Sequence, residues 1–171
     1  MNLTSIRRLA ALLALAGACV LPVHAADSTP AAPAGDRLAP ARALIADGKW
    51  RDAIEALKQV NDSGSADWNN LMGYSHRKAK TPDFAAAEQY YAAALKIDPK
   101  HRGALEYSGE LYLMMGNLAL AEARLDALDK ACFFGCDELK ELKAAIAAYK
   151  ANGNKAEDRQ WSAAERSAPP K

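Results

Sequence analysis

The amino-acid sequence predicts an all-α chain, built from about three stacked helix hairpins and one closing helix. Two observations carry that prediction. From Ala41 onward, apolar residues recur at helical spacing among alanine, leucine and alternating charges, and no run of β-branched residues offers a strand. The same pattern then returns at a fixed interval. Gly48-Lys49-Trp50-Arg51-Asp52-Ala53 aligns with Pro82-Asp83-Phe84-Ala85-Ala86-Ala87 and with Gly116-Asn117-Leu118-Ala119-Leu120-Ala121. Trp50, Phe84 and Leu118 each stand three residues ahead of an alanine, and each is 34 residues from the next. Four residues beyond that alanine comes Leu57, Tyr91 or Leu125.

Taken in order, the chain opens with an export signal. Arg7 and Arg8 form a basic start, Leu9 to Val20 an apolar run, and Val23-His24-Ala25 a cleavage site with small residues where signal peptidase needs them. The run is short for a bilayer span, and a proline-rich stretch rather than charged anchors follows it. Residues 1–25 are therefore read as a cleaved signal and the protein as periplasmic. A rival cut exists at Ala16-Gly17-Ala18-Cys19, which vaguely resembles a lipobox. It would leave a lipidated Cys19 and a lipoprotein, the one route by which this reading brings the chain to a membrane.

The signal takes two of the 22 basic residues and none of the 21 acidic ones, so the remainder carries 20 against 21, a net −1 with His neutral. That balance provides no basic face for nucleic acid and no acidic tail. Residues 26–40 hold three prolines with several alanines and read as a flexible leader.

The repeats occupy residues 41–131, in units of about 41–64, 65–100 and 101–131. Trp68-Asn69-Asn70-Leu71-Met72-Gly73 opens the second unit, and Gly109-Glu110-Leu111-Tyr112 marks the same place in the third. Thr81-Pro82 reads as a helix cap followed by proline at the first helical position, and Asp98-Pro99 as a terminator. Gly73, Gly109, Ala87 and Ala121 are expected to let the helices of a hairpin approach closely. Tyr91, Phe84, Tyr112 and Leu125 are expected to fill the space between hairpins. The first unit departs from the pattern: its first helix is short, and it ends in the polar stretch 61–65 without a proline. The second carries about two extra residues around Ala79-Lys80-Thr81, which lengthens its turn.

These residues resemble the tetratricopeptide repeat family. The resemblance implies a short right-handed solenoid whose first helices line a concave groove, and it implies an interaction scaffold rather than an enzyme. Residue by residue, the implied groove is Asn70, Tyr74, Arg77 and Lys78 from the second unit, with Glu106, Glu110, Leu113 and Met114 from the third. Basic, acidic and apolar patches in one groove suit an extended or helical peptide of patterned charge. Three repeats suit one peptide-sized ligand, or self-association through an open end.

After the repeats, Leu139, Leu142, Ile146 and Tyr149 form one apolar stripe opposite lysine and glutamate, as a capping helix requires. Asp137 stands near its start and Asn152-Gly153-Asn154 ends it. The stretch 132–152 is thus junction plus cap, and 153–171 a disordered tail.

Between repeats and cap lies Cys132-Phe133-Phe134-Gly135-Cys136. The span fits a disulfide, which would staple the capping helix for roughly 2 kcal/mol because the closed loop is small; Phe133 and Phe134 are expected to add burial there. A haem site would need Cys-x-x-Cys-His, and structural zinc four ligands, where the exported chain offers two thiols, His76 and His101. The alternative to the staple is a metal or redox accessory in which Cys132 and Cys136 take part directly. No Gly-rich phosphate loop, His-Glu-x-x-His or nucleophile beside a base is present, so no catalytic residue, metal site or cofactor is expected. The functional expectation is an exported module that binds a peptide or partner protein.

Overall fold

The computed structural model describes residues 36–156, all within a unit that begins at Ala34. The signal, most of the leader and most of the tail lie outside the described residues. Seven helices follow one another: α1 (Ala39–Ala46), α2 (Trp50–Val60), α3 (Ala66–Lys78), α4 (Phe84–Ile97), α5 (Arg102–Met114), α6 (Leu118–Ala131) and α7 (Asp137–Ala151). No strand occurs among the described residues, and none of their helices is long and apolar enough to cross a membrane. α1/α2, α3/α4 and α5/α6 are hairpins, and α7 packs on both α5 and α6.

Short polar residues fix the helix starts. The side chains of Ser65, Asp83 and Asn117 accept the backbone N–H of Trp68, Ala86 and Leu120, at 3.2, 2.9 and 3.1 Å. The cap of α4 is thus Asp83 rather than Thr81, and Pro82 precedes the helix instead of opening it. The turn over 79–83 is the long one, held where the Asp83 N–H donates to the His76 carbonyl at 3.1 Å. α1 starts at Ala39 with Pro40 in its first turn, inside the stretch read as leader, because Leu38 and Ala41 are buried in the core. The loop 61–65 needs no proline. Asn61 takes the left-handed conformation at φ 49°, and the Asn69 amide donates to the Ser63 and Ser65 carbonyls at 2.9 and 2.8 Å.

Packing between hairpins is aromatic and directional. The Trp68 indole N–H donates to the Leu57 carbonyl at 2.7 Å, tying the second hairpin to the first. Trp50 of the first hairpin meets Tyr74 of the second, and within the second hairpin Trp68 meets Tyr90, each edge-on at under 6 Å between ring centres. The small residues act where expected in part. Gly73 leaves room for Tyr91 of its own hairpin, whose ring carbons would lie 2.8 Å from an added Cβ. Gly109 serves a different neighbour: it accepts Leu142 of α7, 2.7 Å from where a Cβ would sit. The capping helix, not α6, makes that close approach, because α7 lies across the face of α5 that carries Gly109.

Candidate functional site

α3 and α5 are the first helices of successive hairpins, and the eight expected groove residues come from these two. The sequence reading treats them as an open lining. In the structure Asn70, Tyr74, Arg77, Glu106, Glu110 and Leu113 are buried, while Lys78 and Met114 are half-buried. The separate basic and acidic patches are also corrected, since Arg77 and Glu110 are one ion pair at 2.9 Å with both side chains inside. Low dielectric explains the pairing: a guanidinium taken out of water needs a carboxylate within hydrogen-bond reach.

Around that pair the site is aromatic. The Arg77 guanidinium lies over the Tyr74 ring at 5.3 Å and the Tyr107 ring at 5.6 Å. The rings of Tyr74 and Tyr107 meet at 4.6 Å, and the Met114 sulfur lies 3.8 Å from the guanidinium. Burial pushes the phenols of Tyr91 and Tyr107 well above their ordinary value. Arg77 opposes the shift at Tyr91, and the Glu106 carboxylate adds to it at Tyr107. Neither phenol is available as a base or nucleophile near neutral pH.

Asn70 completes the cluster and differs from it. Its amide is fully buried, yet neither the nitrogen nor the oxygen has a hydrogen-bond partner. It abuts the first turn of α5, where an added Cβ on Gly103 would lie 3.0 Å from the amide nitrogen. Glycine at 103 is what lets the amide reach so close to the helix.

Three residues outside the expected set join the site or its rim. Tyr107 supplies the second face of the Arg77 clamp. His101 caps α5, its Nδ1 accepting the Ala104 N–H at 3.1 Å while Nε2 meets Asp67 at 2.9 Å. Asp67 also receives Arg42 of α1 at 3.2 Å, so one carboxylate links three hairpins. Partial burial raises the Asp67 carboxyl, but His101 and Arg42 together outweigh it and leave the group below its usual range. A signal for these contacts exists in the sequence: Asp67 and His101 stand 34 residues apart, one repeat period. His76 is a packed histidine, stacked on Tyr90 at 5.4 Å, with burial lowering its proton affinity.

At the other end, the α-carbons of Cys132 and Cys136 are 5.7 Å apart and their sulfurs 2.07 Å, within the span of a disulfide. The expected burial of the phenylalanines is corrected: Phe133 is 87% exposed and Phe134 96%. Gly135, at φ +80°, turns the chain so tightly that the intervening side chains point outward. Among the described residues no group of three or more His, Cys, Asp or Glu is placed to hold a metal ion.

Hairpins repeating every 34 residues and packed side on define an α-solenoid, a class of interaction scaffold. Residues 82–146, from the turn before α4 into α7, match the family model of the tetratricopeptide repeat. Over that stretch the chain is similar to the tetratricopeptide repeat, a family that typically mediates protein–protein interaction. No curated protein and no solved structure matches the chain.

Proposed function

We propose that this protein is an exported interaction module that holds an extended segment of a partner protein against α3 and α5. The observation that carries the reading is Asn70. An amide buried without partners costs about 1–3 kcal/mol, a standing penalty that folding alone does not explain. A primary amide offers one donor face and one acceptor, the complement of the N–H and C=O of an extended peptide. A bound backbone would therefore offset the penalty, with Tyr74 and the Arg77–Glu110 pair beside it to read side chains. Because Asn70 is shut off from solvent, binding requires movement of the side chains that cover it.

The export part rests on Arg7, Arg8, the apolar run to Val20 and the Val23-His24-Ala25 site. In an oxidising compartment the Cys132–Cys136 pair is a staple between the last repeat helix and α7. Intact mass with an alkylating agent, before and after reduction, tests both: a chain starting near Ala26 and thiols blocked until reduced are expected.

Peptides selected from a random display library on residues 26–171 test the site. Their affinity should fall about tenfold or more with Asn70→Ala, the loss of one buried hydrogen-bonding group. Lys96→Ala, on the exposed face of α4, should leave it unchanged. Selected peptides that bind Asn70→Ala as tightly as the parent would show that the concave face is not the binding surface.

A further inference from the structure

The exposed pair at the α6–α7 turn is independent of the concave site, and its geometry points to a membrane-contact tip: Phe133 and Phe134 enter the interfacial layer of a zwitterionic bilayer. Among the described residues the other exposed large apolar side chains stop at 46% exposure (Ile97 and Met115), whereas these two reach 87% and 96%. Their rings touch each other edge-on at 4.9 Å. The turn that presents them is held by the Gly135 N–H donating to the Cys132 carbonyl at 2.9 Å and by the cysteine pair. A tip already ordered loses little freedom on binding.

Size and charge choose the occupant. Two phenylalanines bring about 300–500 Å² of surface, short of the roughly 800 Å² per partner of a stable protein interface. A second copy docked tip to tip would fall under the same limit. A convex tip needs a medium that yields around it, which the interfacial layer does. The charges flanking the turn balance, four basic (Arg102, Lys130, Lys140, Lys143) against four acidic (Asp129, Asp137, Glu138, Glu141), and three pairs join them: Lys140 with Asp137 at 3.2 Å, Lys143 with Asp129 at 3.6 Å and Arg102 with Glu138 at 3.9 Å. A collar of balanced pairs brings no excess positive charge to draw it to anionic lipid. Contact is therefore apolar and indifferent to lipid charge.

Co-sedimentation of residues 26–171, which contain the whole described array, with phosphatidylcholine vesicles tests this. The parent protein is expected to sediment with pure phosphatidylcholine, within twofold of its binding when phosphatidylglycerol or salt is added. Phe133→Ser/Phe134→Ser should reduce partition roughly 100-fold, the loss of two buried rings. Because both rings are exposed, its thermal midpoint should match the parent's, and Phe134→Ala alone serves as a milder second variant. Three results would overturn the proposal: no sedimentation of the parent at saturating lipid, equal partition of the serine variant, or binding that requires phosphatidylglycerol and vanishes with salt. The first would leave a partner protein's pocket as the home of the tip.

Discussion

Replacing Gly73 with alanine puts a methyl carbon 2.8 Å from two ring carbons of Tyr91 and 3.1 Å from a third. Carbon atoms prefer about 3.5–4.0 Å, so the gap must widen by roughly 0.7 Å or more. Tyr91 cannot supply that movement. Its ring is rigid, 1% exposed, and has the Tyr107 ring 6.5 Å away between centres. The α3–α4 hairpin must open instead, and overpacking of this kind costs about 1–3 kcal/mol. Alanine regains roughly 0.8–1.0 kcal/mol through helix propensity. With a rigid neighbour the clash lies in the upper part of its range, and the net loss is about 1–2 kcal/mol. For an array of this size that is a fall of about 4–8 °C in Tm. Gly109→Ala is the internal control. Its methyl would lie 2.7 Å from both terminal carbons of Leu142, but these are the free end of a side chain that can rotate. There clash and propensity nearly cancel, and a change within about 1 kcal/mol is expected. Urea unfolding followed by circular dichroism measures both. If Gly73→Ala matches or exceeds the parent in stability, the close approach of α3 to Tyr91 is not what selects glycine there.

Three further outcomes follow from groups already described. Cys132→Ser/Cys136→Ser should lose about 2 kcal/mol by the loop-closure model yet keep selected peptides bound; lost binding with an intact fold would favour direct metal or redox use of the pair. Asp67 has its carboxyl held below the usual range once His101 and Arg42 outweigh burial, so its contribution is present above the unfolded value, about pH 3.9, and disappears as pH falls through the folded one. Thermal melts of Asp67→Asn should accordingly be lower than the parent's at neutral pH and converge with them in acid; a pH-independent gap would refute the ionic link. Tyr91 and Tyr107 are raised chiefly by burial, so stability should decline above about pH 10, where the unfolded chain ionises them first. Ultraviolet titration should find two of the six tyrosines silent until the fold is lost, and six that ionise together in the native protein would contradict their burial.

Much of the architecture is legible because small residues and turns recur with the period. The aligned Trp50, Phe84 and Leu118 all open, or nearly open, the second helix of a hairpin, at α2, α4 and α6. What the pattern leaves out is context. Pro40 reads as leader by composition, yet it stands in the first turn of α1, where a missing N–H costs nothing. Thr81-Pro82 has the look of a cap, but the carboxylate of Asp83 is the acceptor that reaches the free N–H. At the site, helical spacing puts Asn70, Tyr74 and Arg77 on one face without saying how deep that face lies. Depth comes from Tyr107 and Glu110 of the next unit, and pairs such as Asp67 with His101 become visible only when residues a period apart are compared. Phe133 and Phe134 mislead in the opposite sense, since an aromatic pair beside two cysteines suggests a core and here stands in water.

α5 belongs to two cores at once. Ala104, Tyr107 and Leu111 face the cluster built with α1–α4, and Leu105, Tyr112 and Leu113 face the one built with α6 and α7. Each core can be rewritten on its outer side without altering the other, but any change to α5 is read by both. Growth or trimming of the array in evolution, by gain or loss of a hairpin, is thereby confined to its two ends. A designer grafting new hairpins onto this chain would inherit the same rule, with α5 as the one helix to leave untouched.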